Sequence, residues 1–326
     1  MARITIQTIA TETGLSKFAV SRALAGKSGV SEDTRVRVNE AATRLGYKRP
    51  AAVARLLSVV FDATDIINSE LHMQIQAGVQ REAARLGYTV RIHSTHDPDE
   101  LEDFANQCAG MLIVGPHSKE SLERAYATGT PIVRSGWLAP LEPVDQIGGT
   151  DHEAGSAVAH YLINLGHRNI VYVHGDPRYR GRMERLYGLR EVIEQRDDTV
   201  LHDMTWKEGN HFAEEFDKLC ARDIAPTAYF CAHDGLALTV MSELLARGYH
   251  IPRDVSVIGF GDFSAAQQIL PQMTTVKMHG VEVGRATVRR LDERINAEVE
   301  PIGPLRISIP SVIIERDSAG PAPARD

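Results

Sequence analysis

The sequence predicts an all-helical N-terminal headpiece followed by an α/β body made of two parallel-sheet lobes. Three observations predict it: a helix–turn–helix spacing within residues 5–27, a break in charge near residue 56, and a β–α rhythm that starts at Ser58 and restarts near Asp151.

The helical pair comes first. Ile6, Ile9 and Ala10 recur at helical spacing and stop at Thr13-Gly14, where glycine can take the positive φ of a tight turn. Ser16 then caps a second helix whose Val20, Ala23 and Leu24 face the first, leaving Lys17, Phe18, Ser21 and Arg22 on the outer side for a DNA major groove. An ordinary helical hairpin with a solvated charged face has the same periodicity, and charge separates the two readings. Residues 1–56 carry ten Lys or Arg against four acids, net +6, whereas the whole sequence has 36 basic and 43 acidic residues, net -7. Residues 57–326 are therefore net -13. A cationic head supplies phosphate attraction, and an anionic body is repelled from the duplex. A third helix over Glu32 to Leu45, capped by Ser31 and carrying Val36, Val38, Ala41, Ala42 and Leu45 as apolar positions, ends at Gly46 and completes the headpiece.

The body alternates short β-rich runs with amphipathic helices. In the first lobe these are Ser58 to Phe61, a helix to about Leu86, Thr89 to His93, Gly110 to Val114, a helix over Lys119 to Ala127, and Pro131 to Val133. The second lobe repeats the pattern with a helix Asp151 to Leu165, Ile170 to His174, helices Arg182 to Gln195 and Asn210 to Cys220, Ala228 to Cys231, a helix Leu236 to Arg247, and Val255 to Phe260. Ligands of open α/β sheets bind beyond the carboxyl ends of the strands, so a cleft between two facing lobes is the expected site. Three strand ends of the second lobe present His174-Gly175-Asp176, Ala232-His233-Asp234 and Gly259-Phe260-Gly261-Asp262-Phe263.

Composition narrows the function classes. No apolar run approaches the roughly 20 residues that cross a bilayer, and the N-terminus lacks the apolar core of a signal peptide, which makes the cytoplasm the expected compartment. Cys108, Cys220 and Cys231 are odd in number and not in metal-ligand spacing; buried reduced thiols are expected, with no metal and no cofactor. The segment Ser318 to Asp326 has the Pro/Ala/Gly composition of a disordered end. A nucleotide-binding α/β enzyme is the first competing reading, since Gly259 to Ser264 half resembles a dinucleotide loop. The third glycine is missing, and Pro271 leaves little room for the helix such a loop must open. A two-lobed sugar-binding protein without a DNA role is the second, but it needs a signal peptide and no cationic head.

The sequence resembles the lactose-repressor family of bacterial transcription regulators over nearly its whole length. The residues that carry the resemblance are Ile9-Ala10, Gly14-Leu15-Ser16-Lys17, Val20-Ser21-Arg22-Ala23-Leu24, Val30-Ser31, Thr34-Arg35, Leu45-Gly46-Tyr47, Leu165-Gly166-His167-Arg168, Arg185 with Gly188, His233-Asp234-Gly235-Leu236-Ala237, and Ile251-Pro252 through Val257-Ile258-Gly259-Phe260. It implies a repressor, not an enzyme, with a periplasmic-binding-protein-like effector domain. It also implies a homodimer on a palindromic operator, with a tetramer left open, and a small metabolite as effector. The implied domains are a headpiece over 1–49, a hinge over 50–57 and a body over 58–326, with lobe 1 at about 58–148 and 277–302 and lobe 2 at about 149–276 and 303–317.

The resemblance also assigns residues. DNA contacts fall on Thr5, Ser16, Lys17, Phe18, Ser21 and Arg22, with Tyr47, Lys48 and Arg49 on the backbone. Phe18 either meets a thymine methyl or folds back onto the headpiece. The family's hinge places a leucine in the minor groove; counting from Tyr47 it is Leu56, counting from Pro50 it is Leu57, and the alternative is that both are core residues. On the effector side Arg185 matches the arginine that holds effector oxygens, and His72, Arg134, Met204, Trp206, His233, Asp234, Gly261, Asp262 and Met278 are the other candidates. Gly261 and Gly136 stand where sugar-responsive members carry aspartate. With Arg185, Arg134 and a protonatable His233 nearby, the expected effector is a sugar acid such as gluconate or a keto-gluconate.

Overall fold

The computed structural model describes residues 6–24, 29–45, 55–65, 67–136, 138–175, 179–206, 212–221, 225–297 and 303–324. The protein forms two compact units, Met1–Ile147 with Gly284–Arg306 and Gly148–Val283 with Ile307–Asp326.

The first unit opens with α1 (Ile6–Thr13), α2 (Lys17–Leu24) and α3 (Glu32–Arg44). Gly14 turns the backbone at φ +67, the Ser16 hydroxyl accepts from Ala19 N–H at 3.1 Å, and Ser31 caps α3 by accepting from Thr34 N–H. Ile9, Ala10, Val20, Ala23, Val38, Ala41 and Ala42 bury one small core among the three helices. Val36, which periodicity groups with them, faces solvent. Arg44 pairs with Glu12 at 2.6 Å and Arg37 donates to the Thr13 carbonyl at 3.0 Å, tying α3 to α1.

The sheet of this unit contains β1 (Leu56–Phe61), β2 (Thr89–Ser94), β3 (Gly110–Val114), β4 (Ile132–Ser135), β5 (Asp145–Gly149) and the strand Arg306–Ile309, in the order Arg306–Ile309, β5, β4, β3, β1, β2. β1 pairs in parallel with β2 and β3 at once, so it is central and buried along its length. The helices are α4 (Ser69–Leu86), α5 (Pro98–Asn106), α6 (Lys119–Ala127) and the returning Gly280–Ile295. Glu82, buried on α4, is held by Arg289 at 2.8 Å, Arg85 at 2.7 Å and Arg285 at 3.3 Å, which drive its carboxyl down to about 2.

The second unit orders its strands Val312–Ile314, β10 (Thr274–Lys277), β9 (Ser256–Gly261), β8 (Ala228–Cys231), β6 (Asn169–His174), β7 (Val200–Thr205), all parallel except the antiparallel pair of β10 with Val312–Ile314. Around it lie α7 (Asp151–Asn164), α8 (Arg180–Ile193), α9 (Phe212–Cys220), α10 (Asp234–Ala246) and α11 (Ser264–Gln268). Alternation divides the strand residues between two cores: Val171, Val173, Tyr229, Cys231 and Val257 pack with α9 and α10, while Ile170, Tyr172, Phe230, Ile258 and Phe260 pack with α7 and α8.

Four expectations need correction. Strand β1 begins at Leu56 rather than Ser58, so the proposed hinge over 50–57 runs into the sheet and neither Leu56 nor Leu57 is available as a groove wedge. Leu57 is 1% exposed and pairs with Val90 on one side and Gly110 on the other. The crossover near residue 277 lies later, because β10 belongs to the second sheet and the first unit resumes at Gly284; that unit runs on to Arg306, past the expected boundary at 302, and the strand Arg306–Ile309 pairs into the first sheet although the second unit begins at Ile307. The tail is ordered as far as it is described: Ser318 is buried, its hydroxyl accepting from Thr274 N–H, while Val257 N–H donates to its carbonyl and Ala322 N–H to that of Leu165. Backbone hydrogen bonding to the start of β9 and the end of α7 outweighs a flexible composition. Cys220 is exposed, unlike Cys108 and Cys231.

Candidate functional site

The outer face of α2 follows from which residues the core takes. With Val20 and Ala23 buried, Ser16, Lys17 and Phe18 are exposed and Ser21 and Arg22 half-exposed on the opposite side. Phe18, at 66% exposure, does not fold back onto the headpiece; the Arg22 guanidinium lies 5.2 Å from its ring centroid and donates to the Ala127 carbonyl at 2.9 Å. An exposed aromatic in the first turn of α2 beside a partly exposed arginine in its last turn fits a base-reading surface. Thr5, Tyr47, Lys48 and Arg49 lie outside the described residues.

On the second unit, two glycines set the geometry at the carboxyl ends of the strands. A Cβ on Gly155 would stand 2.1 Å from the Arg185 carbonyl oxygen, and one on Gly188 2.0 Å from that of His152. Only glycine at both positions lets α7 and α8 touch backbone to backbone. That approach brings Arg185 to Asp151, with Nε and Nη2 at 2.9 and 2.8 Å from one carboxylate oxygen. A third donor, Nη1, takes the Ala232 carbonyl, and the guanidinium carbon lies 3.4 Å above the Phe260 ring. Arg185 is thus a planar donor fixed by a carboxylate, a carbonyl and an aromatic face.

His233 and Asp234 start α10 beside it. The His233 Nδ1 accepts from Leu236 N–H at 3.1 Å, serving as N-cap, and burial followed by the charges of Arg182 and Arg185 pushes the imidazole down to about 4. It is neutral near pH 7, which corrects its expected role as a cation. Asp234 is fully buried and points inward: it accepts from Thr275 Oγ1 at 2.6 Å and from Phe263 N–H at 2.7 Å, and burial raises its carboxyl to about 6 against those hydrogen bonds. It braces the loop after β9 rather than facing a ligand. Asp262, at φ +58, is likewise occupied, by Lys277 at 3.1 Å and Arg316 at 2.5 Å; although burial raises its carboxyl, these two cations hold it lower overall. Met204 is a core residue of β7, Trp206 is partly buried against the same cluster, and Met278 packs on the other cluster with its methyl near Gly149.

Two candidates belong to the first unit. His72 stacks on Phe61 with centroids 4.6 Å apart and places Nε2 3.3 Å from Asp65; desolvation of that carboxyl is outweighed by hydrogen bonds from His72 and Asn68, which lower it. Arg134 is a correction: it is 0% exposed, with Nη1 3.0 Å from Glu142 and Nη2 donating to the Gly115 carbonyl at 3.2 Å. Its charge is spent inside the unit.

Sequence reasoning missed Asp151 and Lys277. Asp151 carried a signal, as an acid opening a helix; Lys277 became visible only once β9 and β10 were side by side. Among the described residues, no group of three or more His, Cys, Asp or Glu is arranged to hold a metal, and no helix is long and apolar enough to cross a membrane.

Comparison with known proteins finds relatives of two segments of this chain and of the whole. Residues 5–50 match the family described as bacterial regulatory proteins, lacI family, and residues 159–319 match the periplasmic binding protein-like domain. The HTH-type transcriptional repressor PurR of Vibrio cholerae serotype O1 is 30% identical over 312 residues, 89% of this chain and 91% of that one. PurR of Haemophilus influenzae is 28% identical over 335 residues, 96% and 98% of the two proteins. Among solved structures, a complex of the transcriptional regulator CelR with cellobiose superposes with a TM-score of 0.69 at 26% identity, covering 97% of this protein and all of that one. The lac repressor dimer bound to operator and the anti-inducer ONPF has a TM-score of 0.70 at 21% identity over 98% of this protein and all of that one, a likeness of fold. The similarity spans headpiece and body together, and its curated members are repressors rather than enzymes: this chain belongs to the lacI family of bacterial regulatory proteins.

Proposed function

We propose that the protein is a ligand-responsive transcriptional repressor that binds a pseudo-palindromic operator as a homodimer. The observation that carries this reading is α2, whose buried side is complete with Val20 and Ala23 while Lys17, Phe18, Ser21 and Arg22 remain on the outside. One headpiece of this size makes too few contacts for specific affinity, and two related by a twofold axis read two half-sites. A gel shift with promoter DNA tests it: full-length protein shifts a palindromic fragment with steep salt dependence, and a body lacking residues 1–54 does not. A truncated body that still shifts DNA refutes the domain assignment.

We assign the effector site to the carboxyl ends of the second sheet's strands, with Arg185 as the principal donor. Its three fixed partners aim it as a pre-organised hydrogen-bonding group for hydroxyl pairs or a carboxylate. The narrower sugar-acid reading loses Arg134, which is spent on Glu142, Lys277, which is spent on Asp262, and His233, which is neutral; its remaining support is Arg182 and Arg185, the latter itself paired with Asp151. Calorimetry against matched neutral and acidic hexose derivatives decides between a sugar and a sugar acid. Tight binding of the neutral member alone removes the acid.

A further inference from the structure

The tripeptide Gly261-Asp262-Phe263 is held more firmly than a strand-to-helix turn requires. Asp262 sits in the left-handed region at φ +58, with its carboxylate clamped by Arg316 and Lys277. The Phe263 N–H donates to Asp234, itself fixed by the Thr275 hydroxyl, and the Phe263 carbonyl accepts from Ala266 N–H at 3.0 Å. These anchors immobilise the backbone on both sides of one aromatic ring. The ring closes on Gly261: a Cβ built there would stand 2.2 Å from Cε2 and 2.3 Å from Cδ2. Phe263 nevertheless stays partly exposed and belongs to neither hydrophobic cluster of this unit, so core packing does not account for its fixation. It lies two residues beyond Gly261, the last residue of β9, whose neighbour on β10 is Lys277.

We propose that Phe263 is a specificity-determining residue of the effector site, a fixed aromatic platform for the apolar face of a six-membered ring. With the ring in this place, position 261 has no room for a side chain, φ +132 there disfavours any L residue, and a carboxylate at that point is excluded. Selection falls instead on ring shape, with polar recognition left to Arg185. A pyranose offers its C–H face and a planar heterocycle its π face; the shared chemistry is a ring, and an acyclic polyol acid does not supply it. This inference rests on the effector-site reading above.

The test is calorimetry on the full-length protein with four probes: glucose, glucuronate, adenine and the acyclic acid gluconate. At least one of the three ring probes binds the wild type, Phe263→Ala weakens that probe by about tenfold, and Phe263→Tyr stays within about threefold. Glucose or glucuronate as the binder identifies a sugar ring, and adenine a heterocycle. Phe263→Ala shifts operator DNA like the wild type and keeps its melting temperature. Binding of gluconate alone, binding of none of the ring probes, or equal affinity of wild type and Phe263→Ala overturns the platform. A wild type that shifts no promoter DNA defeats the regulator reading instead, so the two failures are distinct.

Discussion

Arg185 and Asp151 meet through two nitrogens and one carboxylate oxygen, at 2.9 and 2.8 Å, because Gly155 and Gly188 let their helices touch. Removing the arginine therefore does two things. Arg185→Ala should abolish the effector response in a gel shift while sparing operator binding, and should cost about 1–3 kcal/mol of stability by leaving Asp151 without its partner. Asp151→Asn should recover part of that stability in the double variant and none of the response. An Arg185→Ala protein whose operator complex is still released or strengthened by effector refutes the assignment.

Arg22 and Phe18 share one exposed face of α2. Arg22→Ala should weaken binding to the operator by more than it weakens binding to scrambled DNA, by about 1–3 kcal/mol of discrimination if the guanidinium reads a base edge. An equal loss on both sequences shows that it touches phosphate only. Phe18→Ala, at a mostly exposed site, should leave the melting temperature nearly unchanged.

Leu57 is core, and its replacement should be felt there. Leu57→Ala is expected to lower unfolding free energy by about 2–5 kcal/mol, in line with leucines removed from packed interiors. DNA bending in a circular-permutation assay at a temperature where the variant is folded should match the wild type. A reduced bend with unchanged stability reverses this assignment.

His233 and Asp234 titrate in opposite senses. The imidazole is held at about 4, below its ordinary 6.5, so its neutral form stabilises the fold above pH 6.5 and that contribution is lost as pH falls toward 4. The carboxyl is raised from 3.8 to about 6, so its contribution is full below 3.8 and is lost as pH rises through 6. The two oppose one another between about pH 4 and 6. His233→Asn, which retains an N-cap acceptor, should make urea stability rise on acidification over that window relative to wild type, and Asp234→Asn should make it fall. Parallel profiles for both variants contradict the pair of shifts.

His167 joins the tail to the second sheet: Nε2 donates to the Gly320 carbonyl at 3.0 Å while Nδ1 accepts from the Thr227 hydroxyl at 2.9 Å. Truncation after Asp317 strips this carbonyl and the buried Ser318, and should lower the melting temperature of the body while leaving the headpiece fold intact. An unchanged melting temperature means the tail is dispensable.

What the sequence determined by itself was periodic or cumulative. The 3.6-residue spacing of Ile9, Val20 and Val38, the Ser16 and Ser31 caps, the charge break and the alternation of strands with helices are local or summed properties, and they led to the headpiece, the two sheets and the regulator class. Which charges remain for a ligand was decided only in three dimensions. Arg134, Asp234 and Asp262 look alike in a sequence whether free or paired, and their partners Glu142, Thr275 and Arg316 stand eight, 41 and 54 residues away. Burial then set the proton on His233, and the sheet took Leu56 and Leu57, because a strand's neighbours come from other parts of the sequence. The same holds for Phe263, whose backbone N–H is anchored by a carboxylate 29 residues upstream.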